Sequence, residues 1–123
     1  MSKRMKVYVA GPYSSDNVLG VLSNIRKGIS VSYQLLHQGL APFCPWLDYH
    51  FVLADHTNDL KVVDFYEYSM EWLRCSEAVF IQGDWQNSKG TRAEMAEATK
   101  LGIPVFFDIT KIILYAREQG FEI

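Results

Sequence analysis

A glutamate near the start of a helix is the residue of this chain best placed to do chemistry. The apolar run 78–81 is followed by the polar loop 84–90 and then by a segment with helical spacing that contains Glu94. The free backbone N–H groups of a first helical turn favour an anion. A carboxylate there can attack a carbon centre, or stabilise positive charge that develops on it. We therefore predict that Glu94 is a catalytic residue.

A second unit of the same shape stands near the N-terminus. The apolar run 7–10 is followed by a turn-forming loop and then by a helical segment, and the loop reads Gly11, Pro12, Tyr13, Ser14, Ser15. In parallel sheets, ligands bind at the carboxyl ends of strands, where the strand order reverses. The two loops are thus predicted to form one pocket for a small phosphorylated or glycosidic ligand.

Alternation of strands and helices predicts the architecture. Strands are expected at 6–10, 40–43, 78–82 and 103–107, and helices at 18–38, 59–75, 91–101 and from a cap at Thr110 to near Gly120. Such alternation predicts an α/β, three-layer, flavodoxin- or Rossmann-like sandwich with a mostly parallel sheet of four to five strands. The 123 residues are expected to form a single domain, 1–123. A flavodoxin-like order would make strands one and three neighbours.

Two further expectations concern packing. In the first helix, the residues predicted to face the core are Val21, Ile25, Ile29, Tyr33 and Leu36. Residues 44–58 have no clear period and are rich in aromatic, histidine and aspartate residues, which predicts a lid or interface loop.

Composition narrows the function classes. Hydrophobic residues make up 49% and charged residues 21% of the chain, as in ordinary globular proteins. A net charge of −2 argues against polymeric nucleic acid as a partner. No apolar run approaches the roughly 20 residues that cross a bilayer, and no signal-peptide core follows the basic N-terminus. Two isolated cysteines, Cys44 and Cys75, favour a reducing, cytoplasmic location.

The order and spacing of several segments resemble one known family. The segments are Val7-Tyr8-Val9-Ala10-Gly11-Pro12-Tyr13, Glu71-Trp72-Leu73, Ala78-Val79-Phe80-Ile81, Ser88-x-Gly90-Thr91-x-x-Glu94-x-x-x-Ala98 and Gly102-Ile103-Pro104-Val105. Together they resemble the nucleoside 2-deoxyribosyltransferase superfamily, which includes the 2′-deoxynucleoside 5′-phosphate N-hydrolases. The resemblance runs from about residue 6 to residue 107.

The resemblance implies a reaction and a site. Glu94 would attack C1′ of the sugar and expel the base, and water or another base would then resolve the glycosyl-enzyme. Residues implied around the sugar or its 5′-phosphate are Ser88, Gly90 and the loop Gly11 to Ser15, to which we add Asp84 of the second loop. No cofactor or metal is expected for this chemistry. The expected partners are a small nucleoside or nucleotide and further copies of the chain, in a homodimer or higher homo-oligomer.

One position departs from the family pattern. Ser69 stands where the family usually has an aspartate that protonates or orients the leaving base, and we include it with Glu94 as a predicted catalytic position. A serine is no acid near neutral pH, so the proton would come from elsewhere. The alternatives left open are a second subunit and four residues of the aromatic loop, namely Asp48, His50, Asp55 and His56.

The predicted function is therefore hydrolysis of the N-glycosidic bond of a (deoxy)nucleoside 5′-monophosphate, or base exchange through the same intermediate. Three alternatives remain at this point. The pair Thr91 and Glu94 also fits a capping box, in which the glutamate only closes the helix start. The chain would otherwise be a non-catalytic nucleotide-binding or assembly domain that lacks the acid, or another α/β enzyme, such as one acting on nicotinamide nucleotides.

Overall fold

Four parallel strands form the sheet on which the rest of the chain is arranged. The computed structural model describes residues 3–123. In chain order the elements are β1 (Lys6–Ala10), α1 (Val18–His37), β2 (Ala41–Phe43), a first 3-10 helix (Pro45–Asp48), α2 (Tyr49–Ala54), α3 (Val62–Arg74), β3 (Ala78–Ile81), a second 3-10 helix (Trp85–Asn87), α4 (Lys89–Lys100), β4 (Val105–Phe106) and α5 (Ile109–Glu118). The strand order is β2-β1-β3-β4, with every pair parallel. This confirms the predicted α/β class and the adjacency of strands one and three.

The side chains of β1 alternate between the two faces of the sheet, as in any strand. One face packs with α1 and α5 in a core that includes Met5, Val7, Val9, Leu35, Trp46, Phe80, Ile112 and Ala116. The other face packs with α3 and α4 in a core formed by Tyr8, Ala10, Leu73, Val79, Ile81 and Ala98. The sandwich thus has three layers, and the side chain of Tyr8 lies on the α3–α4 side.

The buried face of α1 matches the predicted one only in part, since Ile25 and Ile29 pack against the core as expected. Tyr33 and Leu36 were expected in the core, but 63% and 50% of their surfaces are exposed. The residues of α1 that are buried are Gly28, Ser32 and Leu35. The reason is the indole of Trp46, which occupies the space directly over Gly28, so that small residues face it. A hydrophobic-periodicity argument favours large residues and misses a contact of this kind.

Residues 44–58 are not the irregular loop that the sequence predicted. They begin with the first 3-10 helix and continue as α2. Pro45 takes the first position of the 3-10 helix, where its fixed φ suits a helical turn and its missing N–H is not needed. Burial of Trp46 then fixes the segment against α1 and the start of the β1–α1 loop.

Two predicted helix starts were wrong. Asp108, not Thr110, caps α5, because its side chain accepts a hydrogen bond from the backbone N–H of Lys111 at 3.0 Å. The third helix begins at Val62 rather than Asp59, since the carboxylate of Asp55 binds the backbone N–H groups of residues 59 and 60 and holds them outside the helix. No helix within residues 3–123 is long and apolar enough to cross a membrane.

Candidate functional site

The carboxyl ends of β1 and β3 approach each other closely. The backbone N–H of Gln82, just after β3, donates to the carbonyl of Ala10 at 2.9 Å. A Cβ added to Gly11 would lie 2.7 Å from the carbonyl oxygen of Gln82, so no larger residue fits there without movement of the backbone. The two loops singled out from the sequence therefore leave the sheet side by side.

The loop after β1 is held by α1 and by the first 3-10 helix. Asn24 of α1 donates from Nδ2 to the carbonyls of Tyr13 and Ser14, at 3.1 and 3.2 Å. The indole N–H of Trp46 donates to the carbonyl of Pro12 at 3.0 Å. Ser14 and Ser15 are exposed, and the Ser15 side chain lies against Gly20 in the first turn of α1. The loop thus presents two hydroxyls to solvent beside a helix N-terminus.

The loop after β3 ends at a cap that the sequence analysis misplaced. Ser88, not Thr91, caps α4, because its Oγ accepts from the Thr91 N–H at 3.2 Å and lies 2.7 Å from Thr91 Oγ1. The capping-box alternative for Thr91 and Glu94 is therefore wrong. Gly90 passes close to the Tyr66 hydroxyl, and a Cβ there would lie 3.2 Å from that oxygen. Asp84 is exposed and accepts from the Asn87 side chain at 2.8 Å.

Glu94 points away from its own helix start and towards the sheet. Its carboxyl accepts a hydrogen bond from the hydroxyl of Tyr8, which is fully buried in the middle of β1. The residue keeps some exposure to solvent, but burial of its carboxyl raises the pKa of Glu94 to about 7, and the Tyr8 hydrogen bond partly offsets that rise. Close to neutral pH, Glu94 thus exists in comparable amounts as acid and carboxylate.

Tyr8 is the link between Glu94 and Ser69. Burial and the negative charge of Glu94 raise the pKa of Tyr8, so its hydroxyl stays protonated and donates. A hydrogen bond from the Ser69 hydroxyl of α3 partly offsets the rise in the pKa of Tyr8. Ser69 lies at the centre of the buried face of α3, beside Leu73, rather than on its flank. Sequence reasoning missed Tyr8, although a tyrosine inside a buried strand signals that its hydroxyl needs a partner.

Asp48 approaches the same region from the carboxyl end of β2. The hydroxyl of Tyr13 donates to Asp48 Oδ1 at 3.0 Å. Burial raises the pKa of Asp48, and the hydrogen bond from Tyr13 limits the rise. The negative charge of Asp48 also contributes to the raised pKa of Tyr8. Of the four aromatic-loop candidates, Asp48 is the one whose charge acts on Tyr8.

Aromatic rings lie beside Tyr8. Phe43, at the end of β2, stacks on Tyr8 with ring centroids 5.7 Å apart. Phe43 also stacks on Trp72 of α3 at 5.6 Å, and 48% of the Trp72 surface is exposed. The row Tyr8, Phe43 and Trp72 therefore extends from the buried carboxyl to the surface. Such a row can contact a planar ring.

The remaining polar candidates of the aromatic loop show no contact with Tyr8 or Glu94 among the described residues. His50 is exposed, and its Nδ1 lies 2.9 Å from the carbonyl of Leu47. Asp55 and His56 are also solvent-accessible. No group of three His, Cys, Asp or Glu residues in the described part of the chain could hold a metal ion.

Removing the Tyr8 hydroxyl is expected to raise the pKa of Glu94 above its value of about 7, because that hydrogen bond stabilises the carboxylate. The measurement is an NMR titration of the Glu94 carboxyl carbon in wild type and Tyr8→Phe. Tyr115→Phe is the matched control, since Tyr115 lies on the α5 side of the sheet against Phe106. An unchanged Glu94 titration in Tyr8→Phe would show that the hydrogen bond does not act on the carboxyl.

Comparison with known proteins gives a family and a fold. The family model described as "Domain of unknown function (DUF7768)" matches residues 5–108, so the chain belongs to this family. Among solved structures, the chain is similar to the 2-deoxyribosyltransferase of the psychrotolerant bacterium Bacillus psychrosaccharolyticus, with 21% sequence identity and a TM-score of 0.54. The match covers 83% of this chain and 71% of that chain, and it establishes a distant relationship of fold. No curated protein matches the sequence.

Proposed function

We propose that this member of the family cleaves the N-glycosidic bond of a (deoxy)nucleoside 5′-monophosphate through a covalent sugar ester on Glu94. The observation that carries the proposal is the buried carboxyl of Glu94, which accepts a hydrogen bond from Tyr8. It lies in the helix that follows β3, whose carboxyl end is next to that of β1. Fold similarity to a 2-deoxyribosyltransferase supports the same class of reaction. Hydrolysis and base exchange share the intermediate and differ in whether water or a base resolves it.

Geometry supports Glu94 as the nucleophile. The Tyr8 hydrogen bond orients one carboxyl oxygen and leaves the other available to C1′ of a sugar. A pKa near 7 keeps a large share of the group ionised at neutral pH, while burial leaves the carboxylate weakly solvated and therefore reactive. Expulsion of the base leaves positive charge on the sugar, and the adjacent carboxylate stabilises it before the ester forms.

The two ends of a nucleotide would be bound by different parts of the pocket. Ser14, Ser15 and Ser88 lie at the starts of α1 and α4, where hydroxyls and backbone N–H groups suit a 5′-phosphate. The exposed face of Trp72, at the end of the aromatic row, suits a planar base. In this arrangement the sugar lies between them, over Glu94.

The test is a panel of ribo- and deoxyribonucleoside 5′-monophosphates and the matching nucleosides, with released base measured by chromatography. Base release from one or more monophosphates, and weaker or no release from the nucleosides, is expected. Acid-quenched samples should show the protein heavier by one sugar phosphate, with the added mass on the peptide that contains Glu94. Addition of a second free base separates exchange from hydrolysis, because only a transferase makes the new nucleotide.

A second candidate function is a non-catalytic nucleotide-binding or assembly domain. Ser69 supports it, because α3 presents a hydroxyl to the pocket where the family resemblance implies a carboxyl. Binding of a monophosphate, measured by calorimetry, without base release or adduct on any member of the panel would favour this function over the enzyme.

We also propose that the protein forms a homo-oligomer. Several large apolar side chains on α1, α2 and α3 are more than half exposed, namely Val18, Leu19, Leu22, Tyr33, Val52, Val62, Val63, Leu53 and Tyr66. Exposed apolar residues in this number favour association between copies. Sedimentation equilibrium would give the number of chains.

A further inference from the structure

The proposed reaction needs a proton that Ser69 cannot supply. A purine or pyrimidine leaves as a poor anion unless one of its ring nitrogens is protonated as the bond to C1′ breaks. Ser69 is only 8% exposed and its hydroxyl faces Tyr8. The Tyr8 hydroxyl already donates a hydrogen bond to Glu94, and its raised pKa makes it a weak acid. The donor must therefore lie elsewhere on the rim of the pocket.

The carboxylates of three other aspartates bind groups in their own segments. The carboxylate of Asp55 accepts from the backbone N–H of Leu60, and this hydrogen bond lowers the pKa of Asp55, so it stays ionised. Asp64 accepts from the backbone N–H of Lys61 at 2.7 Å and closes the start of α3. Asp84 is exposed, with the Asn87 amide on one oxygen. None of the three combines burial with a carboxyl that faces Tyr8.

Asp48 is half-buried, and its negative charge acts on Tyr8. It ends the 3-10 helix that follows β2, and β2 pairs with β1 so that Phe43 lies opposite Tyr8. Trp46 anchors this helix to the β1–α1 loop, and Tyr13 fixes Oδ1. No hydrogen bond to Oδ2 occurs among residues 3–123, which leaves that oxygen for a ligand. The carboxyl is thus oriented on one side and available on the other.

We propose that Asp48 is the general acid and base of this site. The inference rests on the proposed function and names the group that the chemistry requires. In the first step, the carboxylate of Glu94 bonds to C1′, the bond from C1′ to the base nitrogen breaks, and that nitrogen takes the proton of Asp48. In the second step, water bonds to C1′, the ester to Glu94 breaks, and the released proton returns to Asp48. The balance is nucleotide plus water to base plus sugar phosphate.

The titratable groups that face Asp48 come from three elements. They are the hydroxyl of Tyr13 in the β1–α1 loop, the hydroxyl of Tyr8 in β1 and the thiol of Cys44 after β2. Burial raises the pKa of each of the three, so all remain neutral around pH 7. The first step requires Glu94 ionised and Asp48 protonated. Only the singly protonated pair can supply both groups, so activity falls on the acid side as the pair takes up a second proton and on the alkaline side as it loses its last one.

The experiment compares Asp48→Asn with Asp55→Asn, the same change of charge in the same segment. Each variant receives the best natural nucleotide and the 4-nitrophenyl glycoside of the same sugar phosphate, whose leaving group needs no proton. For Asp48→Asn we expect base release to fall by roughly 10²- to 10⁴-fold, and the first-turnover burst of nitrophenolate to stay within about tenfold of wild type. The alkaline fall of the pH profile should disappear, and on the nitrophenyl substrate azide should restore turnover, because it attacks the sugar ester without a general base. Asp55→Asn should behave as wild type.

The failures can be told apart. Wild-type release of the natural base by Asp48→Asn would overturn the assignment of Asp48 and leave the glycosidase function standing. An equal loss on both substrates, with the alkaline limb unchanged and no azide rescue, would overturn it too, because Asp48 would then only hold the structure. A wild-type protein that releases neither base nor nitrophenolate would overturn the proposed function and the role of Asp48 with it.

Discussion

Glu94→Gln is expected to abolish base release and, at the same time, to make the folded protein more stable above pH 7. The activity should fall at least about a thousandfold, because an amide cannot form the sugar ester and the site has no second nucleophile in place of Glu94. The amide oxygen still accepts the Tyr8 hydrogen bond, so the pocket keeps its shape. Loss of function with a gain in stability would identify Glu94 as a functional group rather than a structural one.

The gain in stability follows from the pKa of Glu94. Its value is about 7 in the folded protein and near 4.5 in the unfolded chain. Between these two values the folded state holds a proton that the unfolded state has released, so rising pH favours unfolding. The wild type therefore loses up to roughly 3 kcal/mol of unfolding free energy between about pH 4.5 and 7, and the glutamine variant does not. The difference between the proteins should be small at pH 4.5 and reach its plateau above pH 7.

Urea denaturation at a series of pH values measures this difference, and the nucleotide panel measures the activity. Glu97→Gln is the matched control on the same helix, because Glu97 accepts from Arg74 at 3.0 Å near the surface and lies outside the pocket. It should retain activity and lose at most about 1 kcal/mol. If Glu94→Gln is less stable than wild type at pH 8, the conclusion that burial raises the pKa of Glu94 is contradicted. A Glu94→Gln variant that still releases base would contradict the role of Glu94 as nucleophile.

The sheet and the two loops could be predicted because local sequence determines them. The runs 7–10 and 78–81 are short, apolar and followed by glycine-containing loops, and these features hold in any tertiary context. Their adjacency followed from the rules for crossover connections. Glu94 could be singled out for the same reason, since its position after the loop depends on the helix start and not on distant contacts.

Tyr8 and Asp48 could not be placed from the sequence, because their partners are far along the chain. Tyr8 meets Glu94 across 86 residues, and Tyr13 meets Asp48 across 35. Both contacts depend on which face of the sheet a side chain takes and on where the segment 44–54 packs. That packing depends in turn on Gly28, which no periodicity argument would select as a contact point. The sequence therefore left the acid of the proposed reaction open among four residues of the aromatic loop and a second subunit.

Trp46→Ala is expected to lower the free energy of unfolding by about 3–5 kcal/mol, a large part of the 5–15 kcal/mol typical of a domain. Trp46 is 1% exposed, packs in the core on the α1 side of the sheet, and holds the β1–α1 loop through Pro12. Its removal leaves a cavity over Gly28 and frees the segment that carries Asp48. Base release should fall as well, since Asp48 would no longer be held beside the pocket.

Gly28→Ala is expected to destabilise the wild-type protein but to stabilise the Trp46→Ala variant. In wild type the new Cβ overlaps the indole of Trp46, and overpacking of about 1–3 kcal/mol outweighs the gain in helix propensity of about 1 kcal/mol. In Trp46→Ala the ring is gone, so the same substitution should stabilise by about 1 kcal/mol.

Ser30→Ala, at an exposed position of α1, is the control and should have the same small effect on stability with and without Trp46. Urea denaturation followed by circular dichroism measures all six proteins. Equal effects of Gly28→Ala in both backgrounds would show that the helix and the indole do not contact at this point. A reversal of sign would instead establish that the missing side chain at position 28 makes room on α1 for the indole of Trp46.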